Sequence, residues 1–153
     1  MLVKTRYFGE VELDEEKILT FDRGIIGFEQ LHKFTLIYNN EKGSDTAITW
    51  LQSIEEASMA LPVINPNMVI KDYNPEVEDS LLEQLGTLGP DNTCVFVTLT
   101  VPPDITKMTA NLKAPIIVNA DTKKGCQAIA ENDYAIKYNI YDVISKMKEE
   151  KGD

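Results

Sequence analysis

The chain has 153 residues, 43% of them hydrophobic and 26% charged, which is typical of one globular domain with a proper core. Its net charge of −10 repels a phosphate backbone and attracts basic proteins, so we expect no direct nucleic-acid binding and fast encounter with a basic partner. No apolar run approaches the roughly 20 residues that span a bilayer, and the N-terminus lacks the apolar segment of a signal peptide, so we expect a cytoplasmic protein without a membrane partner.

Short runs of alternating or β-branched residues, separated by turn residues, recur along the chain and predict strands. In the first half they lie on both sides of Gly9 and at residues 17–21, 33–39, 47–53 and 58–64, with a turn at 41–45. In the second half they lie at residues 93–101, the strongest of the set, and at 105–112, 115–119, 127–129 and 134–138. Without repeats or linkers, this pattern predicts a single antiparallel barrel or sandwich over residues 1–153.

Two short helices are also predicted, and both are expected to pack against the sheet. The first begins with Asn74 as its capping residue and Pro75 at its first position, and it ends at Gly86. Its apolar face contains Val77, Leu81, Leu82 and Leu85. The second, over about residues 141–153, is a short amphipathic helix or a frayed tail, with Val143, Ile144 and Met147 on one side.

The sequence contains no signature of catalysis or of a bound metal. Its one histidine, His32, has charged and polar neighbours and is expected to be exposed, and a single histidine makes a His-based metal site or catalytic triad hard to build. Cys94 and Cys126 are far apart and form no CxxC motif, so we expect free, structural thiols. The acidic residues lie in runs that are typical of solvated faces. We therefore predict a protein that is not an enzyme and that uses no cofactor and no metal.

The stretch GIIGFE, residues 24–29, combines two glycines with apolar side chains. Gly24 and Gly27 suit a tight loop with unusual φ angles. The apolar side chains then have two possible roles. Ile26 and Phe28 either plug the core, or they form an apolar loop at a partner surface.

Three further stretches contain uncharged polar residues that suit either a site or an internal brace. TWLQS, residues 49–53, places Gln52 beside the only tryptophan, which is expected in the core. Asn65 precedes a proline and suits a cap on a turn. In MTANL, residues 108–112, we expect Thr109 and Asn111 to brace backbone groups near the bend at Pro115.

Taken together, these stretches resemble the FliW family of flagellar assembly factors. The resemblance rests on the order and spacing of GIIGFE, TWLQS, INP followed by DY, VTLTVP and MTANLKAPIIVN, with Gln127 after them. It covers nearly the whole chain, and MTANLKAPIIVN is its most specific part. Ile26 departs from the family pattern, which usually has proline in the glycine loop.

The resemblance implies a mainly β, compact antiparallel barrel-like domain with one or two short helices and a non-enzymatic regulatory function. Such proteins bind flagellin in the cytoplasm. When flagellin is exported, they bind CsrA, a small dimeric RNA-binding protein that represses flagellin translation, and they antagonise it without occupying its RNA groove. Nothing in the sequence demands a dimer, so we expect a monomer. The candidate partner-binding residues are Gly24, Ile25, Ile26, Gly27, Phe28, Glu29, Gln52, Asn65, Thr109 and Asn111.

Two hypotheses connect these expectations to physical features of the chain. The acidic surface would steer the protein toward basic surface on CsrA. An exposed groove near Ile25, Ile26 and Phe28 would cover the amphipathic terminal segments of unassembled flagellin.

Two alternatives remain open. The first is a small-ligand-binding β-barrel in which Trp50, Gln52 and Asn111 converge on an apolar pocket. The second is a hydrolase whose carboxylates meet only in three dimensions.

Overall fold

A computed structural model describes the backbone of residues 1–38 and 48–151 and the side chains of residues 1–38 and 48–146. The predicted turn at 41–45, the ends of two predicted strands at residues 39 and 47, and the side chain of Met147 in the second helix lie outside these ranges. The strands are β1 (Leu2–Lys4), β2 (Glu10–Glu12), β3 (Leu19–Thr20), β4 (Lys33–Tyr38), β5 (Thr49–Ser53), β6 (Ala60–Ile64), β7 (Thr93–Thr100), β8 (Thr109–Ala110), β9 (Ile116–Asn119), β10 (Lys124–Gln127) and β11 (Tyr138–Asn139). The α-helices are α1 (Asp79–Glu83) and α2 (Tyr141–Lys151), and 3-10 turns cover Glu15–Lys17, Pro66–Met68 and Ile105–Lys107.

Seven strands close into a barrel in the order β3-β4-β5-β6-β7-β9-β10, with β10 returning to β3. All neighbours in the barrel are antiparallel except β10 and β3, which pair in parallel through Lys124 and Thr20. Strand β7 is long enough to pair with β9 at one end and with β8, which continues to β11, at the other. The prediction of a mainly β, antiparallel barrel-like domain with two short helices is therefore confirmed.

Apolar side chains fill the barrel interior because alternate residues of its strands point inward. These side chains belong to Leu19, Phe21, Ile25, Phe34, Leu51, Met59, Val63, Ile116 and Val118. Each large one contributes about 1.5–3 kcal/mol when it is fully buried. The residues between them on β9 face outward, and there Ile117 packs with Leu85, beside α1. A third cluster lies under α2, where Ile140 and Ile144 pack against Ile64 and its neighbours.

The first helix is shorter than predicted, and Asn74 does not cap it. Helix α1 begins only after Glu78, because residues 74–76 form hydrogen bonds with residues 131–134. The N–H of Asn74 donates to the Tyr134 hydroxyl at 3.0 Å, and the N–H of Glu76 donates to the Asn132 side chain at 2.6 Å. These tertiary bonds override the local helix signal. Helix α1 ends at Glu83 with Gln84 as its cap, three residues before the predicted end at Gly86, whose φ of +88° stops any continuation of the helix.

Several other predicted elements are displaced or differ in type. Residues 105–107 form a 3-10 turn, since the Asp104 carboxylate accepts the N–H of Thr106 at 3.1 Å, and only Thr109 and Ala110 of the predicted strand pair with β7. The strands predicted at 127–129 and 134–138 are observed as β10 and β11, at 124–127 and 138–139. Cys94 and Cys126 are free thiols, as expected.

Two aromatic side chains differ in burial from the expectation. His32 is half-buried rather than exposed, and its Nδ1 lies 2.9 Å from the carbonyl oxygen of Phe21. Trp50 is half-buried rather than in the core, and it stacks under Tyr7 with their ring centroids 4.6 Å apart. The strand register places Trp50 on the outer face, where the loop between β1 and β2 covers it.

Candidate partner-binding site

Residues 24–29, which we call the glycine turn, form a tight reversal after β3. The N–H of Phe28 donates to the carbonyl oxygen of Ile25 at 2.7 Å, which closes a four-residue turn. Gly27 has φ +91° whereas Ile26 stays outside the positive-φ region, the pattern of a type II turn. A Cβ on Gly24, whose φ is +67°, would lie 2.7 Å from both the Cα of Glu29 and the carbonyl oxygen of Phe28. Both glycines are therefore required by the backbone, as the sequence predicted.

The glycine turn both plugs the barrel and presents apolar surface. Ile25 is 2% exposed and packs in the barrel interior. Ile26 is 54% exposed and Phe28 is 36% exposed, so the side chains that the sequence offered as a possible plug lie at the surface. Burial of Ile25 fixes the base of the turn while two large apolar side chains remain available to a partner.

A groove of about 310 Å³ lies beside the glycine turn. Its apolar walls come from Ile25, Ile26, Phe28, Leu61, Leu99, Ala114 and Ile129. Its polar positions are Thr98, Thr100, Asn111 and Gln127. No lining residue is charged, in contrast to the rest of this acidic protein. We call this surface the groove.

The groove brings together the glycine turn and only one of the four other predicted site residues. Asn111 lines it, and its side-chain oxygen accepts the N–H of Lys113 at 3.1 Å, so the expected bracing role is also present. Thr109 lies in β8, paired with Thr100 and Asn139, and does not line the groove. Glu29, the last residue of the glycine turn, is exposed and does not line the groove.

Gln52 and Asn65 serve the fold away from the groove. Gln52 is 1% exposed, accepts the N–H of Arg6 at 3.0 Å, and donates to three backbone carbonyls at 3.0–3.2 Å. Its position therefore does not support the prediction that it contacts a partner, because it fastens the loop after β1 to the β5–β6 turn. Asn65 is exposed and caps the 3-10 turn that follows it by accepting the N–H of Asn67 at 2.9 Å.

Seven of the groove residues were not assigned to a site from the sequence: Leu61, Thr98, Leu99, Thr100, Ala114, Gln127 and Ile129. They come from β6, from β7, from the segment before β9 and from residues 127–129. Leu61 and Ile129 lie outside the family pattern, whereas the others belong to it, Gln127 as its last residue. The N–H of Ile26 donates to Gln127 Oε1 at 2.9 Å, so Gln127 contacts the turn directly.

Comparison with known proteins identifies the family. A protein-family model described as FliW protein matches residues 2–140 of the chain. The chain belongs to the FliW family. A relative from Lachnoclostridium phytofermentans, named flagellar assembly factor FliW, is 50% identical over 155 aligned positions that cover 100% of this chain and 99% of the relative.

Further FliW proteins extend the match in sequence and in structure. A relative from Lachnospira eligens with the same name is 55% identical over 148 residues, covering 95% of this chain and 98% of the relative. A crystal structure described as that of the flagellar assembly factor FliW superposes with a TM-score of 0.83 at 30% identity, covering 92% of this chain and 96% of the other. The barrel is thus a fold shared with a solved FliW structure.

The small-ligand alternative required three residues to converge, and they do not. Trp50 lies under Tyr7, Gln52 is buried and bonded to backbone, and Asn111 lines the groove. A second opening, of about 260 Å³, reaches the barrel beside Tyr38 and Cys94. Among the residues described, every buried side-chain nitrogen and oxygen already has a hydrogen-bond partner, so none of these atoms requires a ligand to pair with it.

Four acidic residues of this FliW-family chain lie together at the N-terminal hairpin, away from the groove. Glu12, Asp14, Glu15 and Glu16 surround a shallow surface hollow with Met1 and Leu13, and we call these four carboxylates the acidic corner. The terminal amine of Met1 pairs with Glu12 at 2.9 Å and neutralises part of this charge. In the described ranges, no group of three His, Cys, Asp or Glu side chains is arranged to hold a metal ion. Neither helix there combines the length and apolar composition needed to cross a membrane.

One further carboxylate is held by the fold outside the acidic corner. The N–H groups of His32 and Lys33 both donate to Glu55, and these bonds lower the pKa of that exposed carboxyl. Glu55 therefore stays ionised at neutral pH and connects the turn after β5 to the start of β4. This arrangement is structural, since no second acid is paired with it in the described contacts.

Proposed function

We propose that this chain acts in flagellar assembly by binding flagellin in the cytoplasm through the glycine turn and the groove. When flagellin leaves, the chain binds the translational repressor CsrA and antagonises it non-competitively, so that flagellin synthesis follows export. It does this as a monomer, without catalysis and without a cofactor. Membership of the FliW family supports the general role. The observation that carries the placement is the exposed pair Ile26 and Phe28 beside an uncharged groove.

The groove suits the apolar face of an amphipathic helix better than it suits a charged segment. Such a helix inserts side chains from one face into an apolar groove, and its affinity comes from a few buried anchors. Ile26 and Phe28 flank the groove on one side, and Ile129, which is 55% exposed, lies on its lining. A terminal segment of unassembled flagellin would cover these side chains and its own apolar face in the same contact.

Binding of CsrA depends on a different property of the molecule, its negative electrostatic field. The acidic corner and the net charge of −10 accelerate encounter with a basic protein, and they repel the RNA that CsrA carries. The two partners therefore differ in the interaction that dominates binding. Burial of apolar surface dominates the contact with flagellin, and long-range electrostatic attraction dominates the encounter with CsrA. Exchange between them then requires coupled or overlapping sites.

A charge placed on the glycine turn tests the flagellin site. Ile26→Glu should weaken flagellin binding by at least about tenfold in a calorimetric titration, because a carboxylate would have to be buried in an apolar contact. Ile136→Glu is the matched control, since Ile136 is 63% exposed and does not line the groove. Both variants should keep the wild-type circular dichroism spectrum. Wild-type affinity in a folded Ile26→Glu variant would contradict this placement.

A further inference from the structure

One side chain connects the tip of the glycine turn to the barrel. The N–H of Ile26 donates to Gln127 Oε1 at 2.9 Å, across a sequence separation of 101 residues. The side-chain amide of Gln127 in turn donates to the carbonyl oxygen of Ala114 at 3.1 Å, just before β9. Gln127 is half-buried at the end of β10, within the wall of the groove.

The geometry of the turn explains why such a bond is needed. The internal hydrogen bond of the turn uses the N–H of Phe28 and the carbonyl of Ile25, so the N–H of Ile26 has no partner within the turn. Gln127 supplies that partner. Its own donor bond to Ala114 fixes the orientation of the amide, because a flipped amide would place two donors against the Ile26 N–H.

We propose that Gln127 is a positioning residue that holds the glycine turn in the conformation in which Ile26 and Phe28 face the partner. This inference rests on the proposed flagellin-binding function. A turn fixed before binding loses less conformational entropy when the partner docks, so the bond acts on affinity through the conformation of the turn.

Because the glycine turn is of type II, a substitution at residue 26 can remove the need for the hydrogen bond between Ile26 and Gln127. Proline is favoured at the second position of a type II turn, because its ring presets φ, and it has no N–H to satisfy. Ile26 occupies that position here. A proline at residue 26 therefore makes the turn independent of Gln127, which allows the two effects to be separated.

The experiment compares wild type, Gln127→Met, Ile26→Pro and the double variant. Methionine is close to glutamine in shape but lacks both hydrogen-bonding groups. In wild-type background we expect Gln127→Met to raise amide hydrogen exchange at Ile26 and Phe28 about fivefold and to weaken flagellin binding by a similar factor. In the Ile26→Pro background, Gln127→Met should change neither Phe28 exchange nor affinity. Gln84→Met, on the end of α1, is the control for glutamine replacement elsewhere.

The readouts distinguish failure of this inference from failure of the proposed function. Unchanged exchange in Gln127→Met would overturn the inference, whatever flagellin does. Faster exchange with unchanged affinity would show that the bond does not serve binding and would also overturn it. An equal loss of affinity from Gln127→Met in both backgrounds would indicate direct contact with the partner or general destabilisation, and it would overturn the positioning role. If wild-type protein fails to bind flagellin while exchange behaves as expected, the proposed function fails and the partner role of Gln127 fails with it.

Discussion

Gly24 and Gly9 form a matched pair in which the same substitution meets different surroundings. Their φ angles are +67° and +65°, so alanine suffers the same backbone penalty at both, about 1–2 kcal/mol. At Gly9 nothing lies within 4 Å of the new Cβ. At Gly24 the new Cβ would meet two backbone atoms at 2.7 Å, which a side-chain rotation cannot relieve.

The difference between the two substitutions gives the cost of this close approach. Overpacking in a site that cannot adjust costs about 1–3 kcal/mol, so Gly24→Ala should lower the free energy of unfolding by about 2 kcal/mol more than Gly9→Ala. Urea unfolding at 25 °C, followed by circular dichroism, measures both values. Gly24→Ala should also weaken flagellin binding, because the turn must shift to admit the methyl group. Equal destabilisation by the two alanines would refute the described packing of the glycine turn.

Two further predictions concern charge and pH. Affinity for CsrA should fall several-fold as salt rises from about 0.05 to 0.3 M, because screening removes the attraction of the acidic corner; salt-independent titrations would contradict the steering role. Burial, and then the neighbouring Tyr134, raise the pKa of the Tyr73 hydroxyl, which donates to the carbonyl of Leu112 at 2.6 Å. The folded state therefore favours neutral tyrosine, and its contribution to stability is complete below pH about 10 and is lost at higher pH as the unfolded chain ionises. Urea unfolding at pH 8 and 10.5 should show a smaller loss in Tyr73→Phe than in wild type, and equal losses would contradict this linkage.

Strand prediction succeeded where the pairing partner is the next segment of the chain or where the strand itself is long. Strands β4 to β6 follow each other as hairpins, and β7 carries an eight-residue run of β-branched and apolar residues. Strand prediction failed where a strand is defined only by its hydrogen bonds to a neighbouring strand and has no residue pattern of its own. Strands β8 and β11 have two residues each, too few for any period, and exist because β7 extends past the barrel. The helix predicted from Asn74 failed for a related reason, since its first turn bonds to residues 131–134.

The candidate site was only partly accessible from sequence. The glycine turn was predicted because its two glycines are visible in the sequence and glycine is the residue that best tolerates a positive φ. The exposure of Ile26 and the burial of Ile25 were not, because adjacent isoleucines give the same hydrophobic pattern whichever one points inward. The rest of the groove comes from residues 61, 98–100, 111, 114, 127 and 129, which only the closed barrel brings together.

We propose above that one protein exchanges flagellin for CsrA. Calorimetric titration of CsrA into the purified protein, repeated with saturating flagellin, tests this exchange. CsrA should bind the free protein, and flagellin should abolish this binding. Ile26→Glu at the same flagellin concentration should restore CsrA binding, because flagellin no longer occupies the groove. CsrA binding that is unaffected by bound flagellin would contradict the exchange, and absence of binding to either partner would contradict the proposed function as a whole.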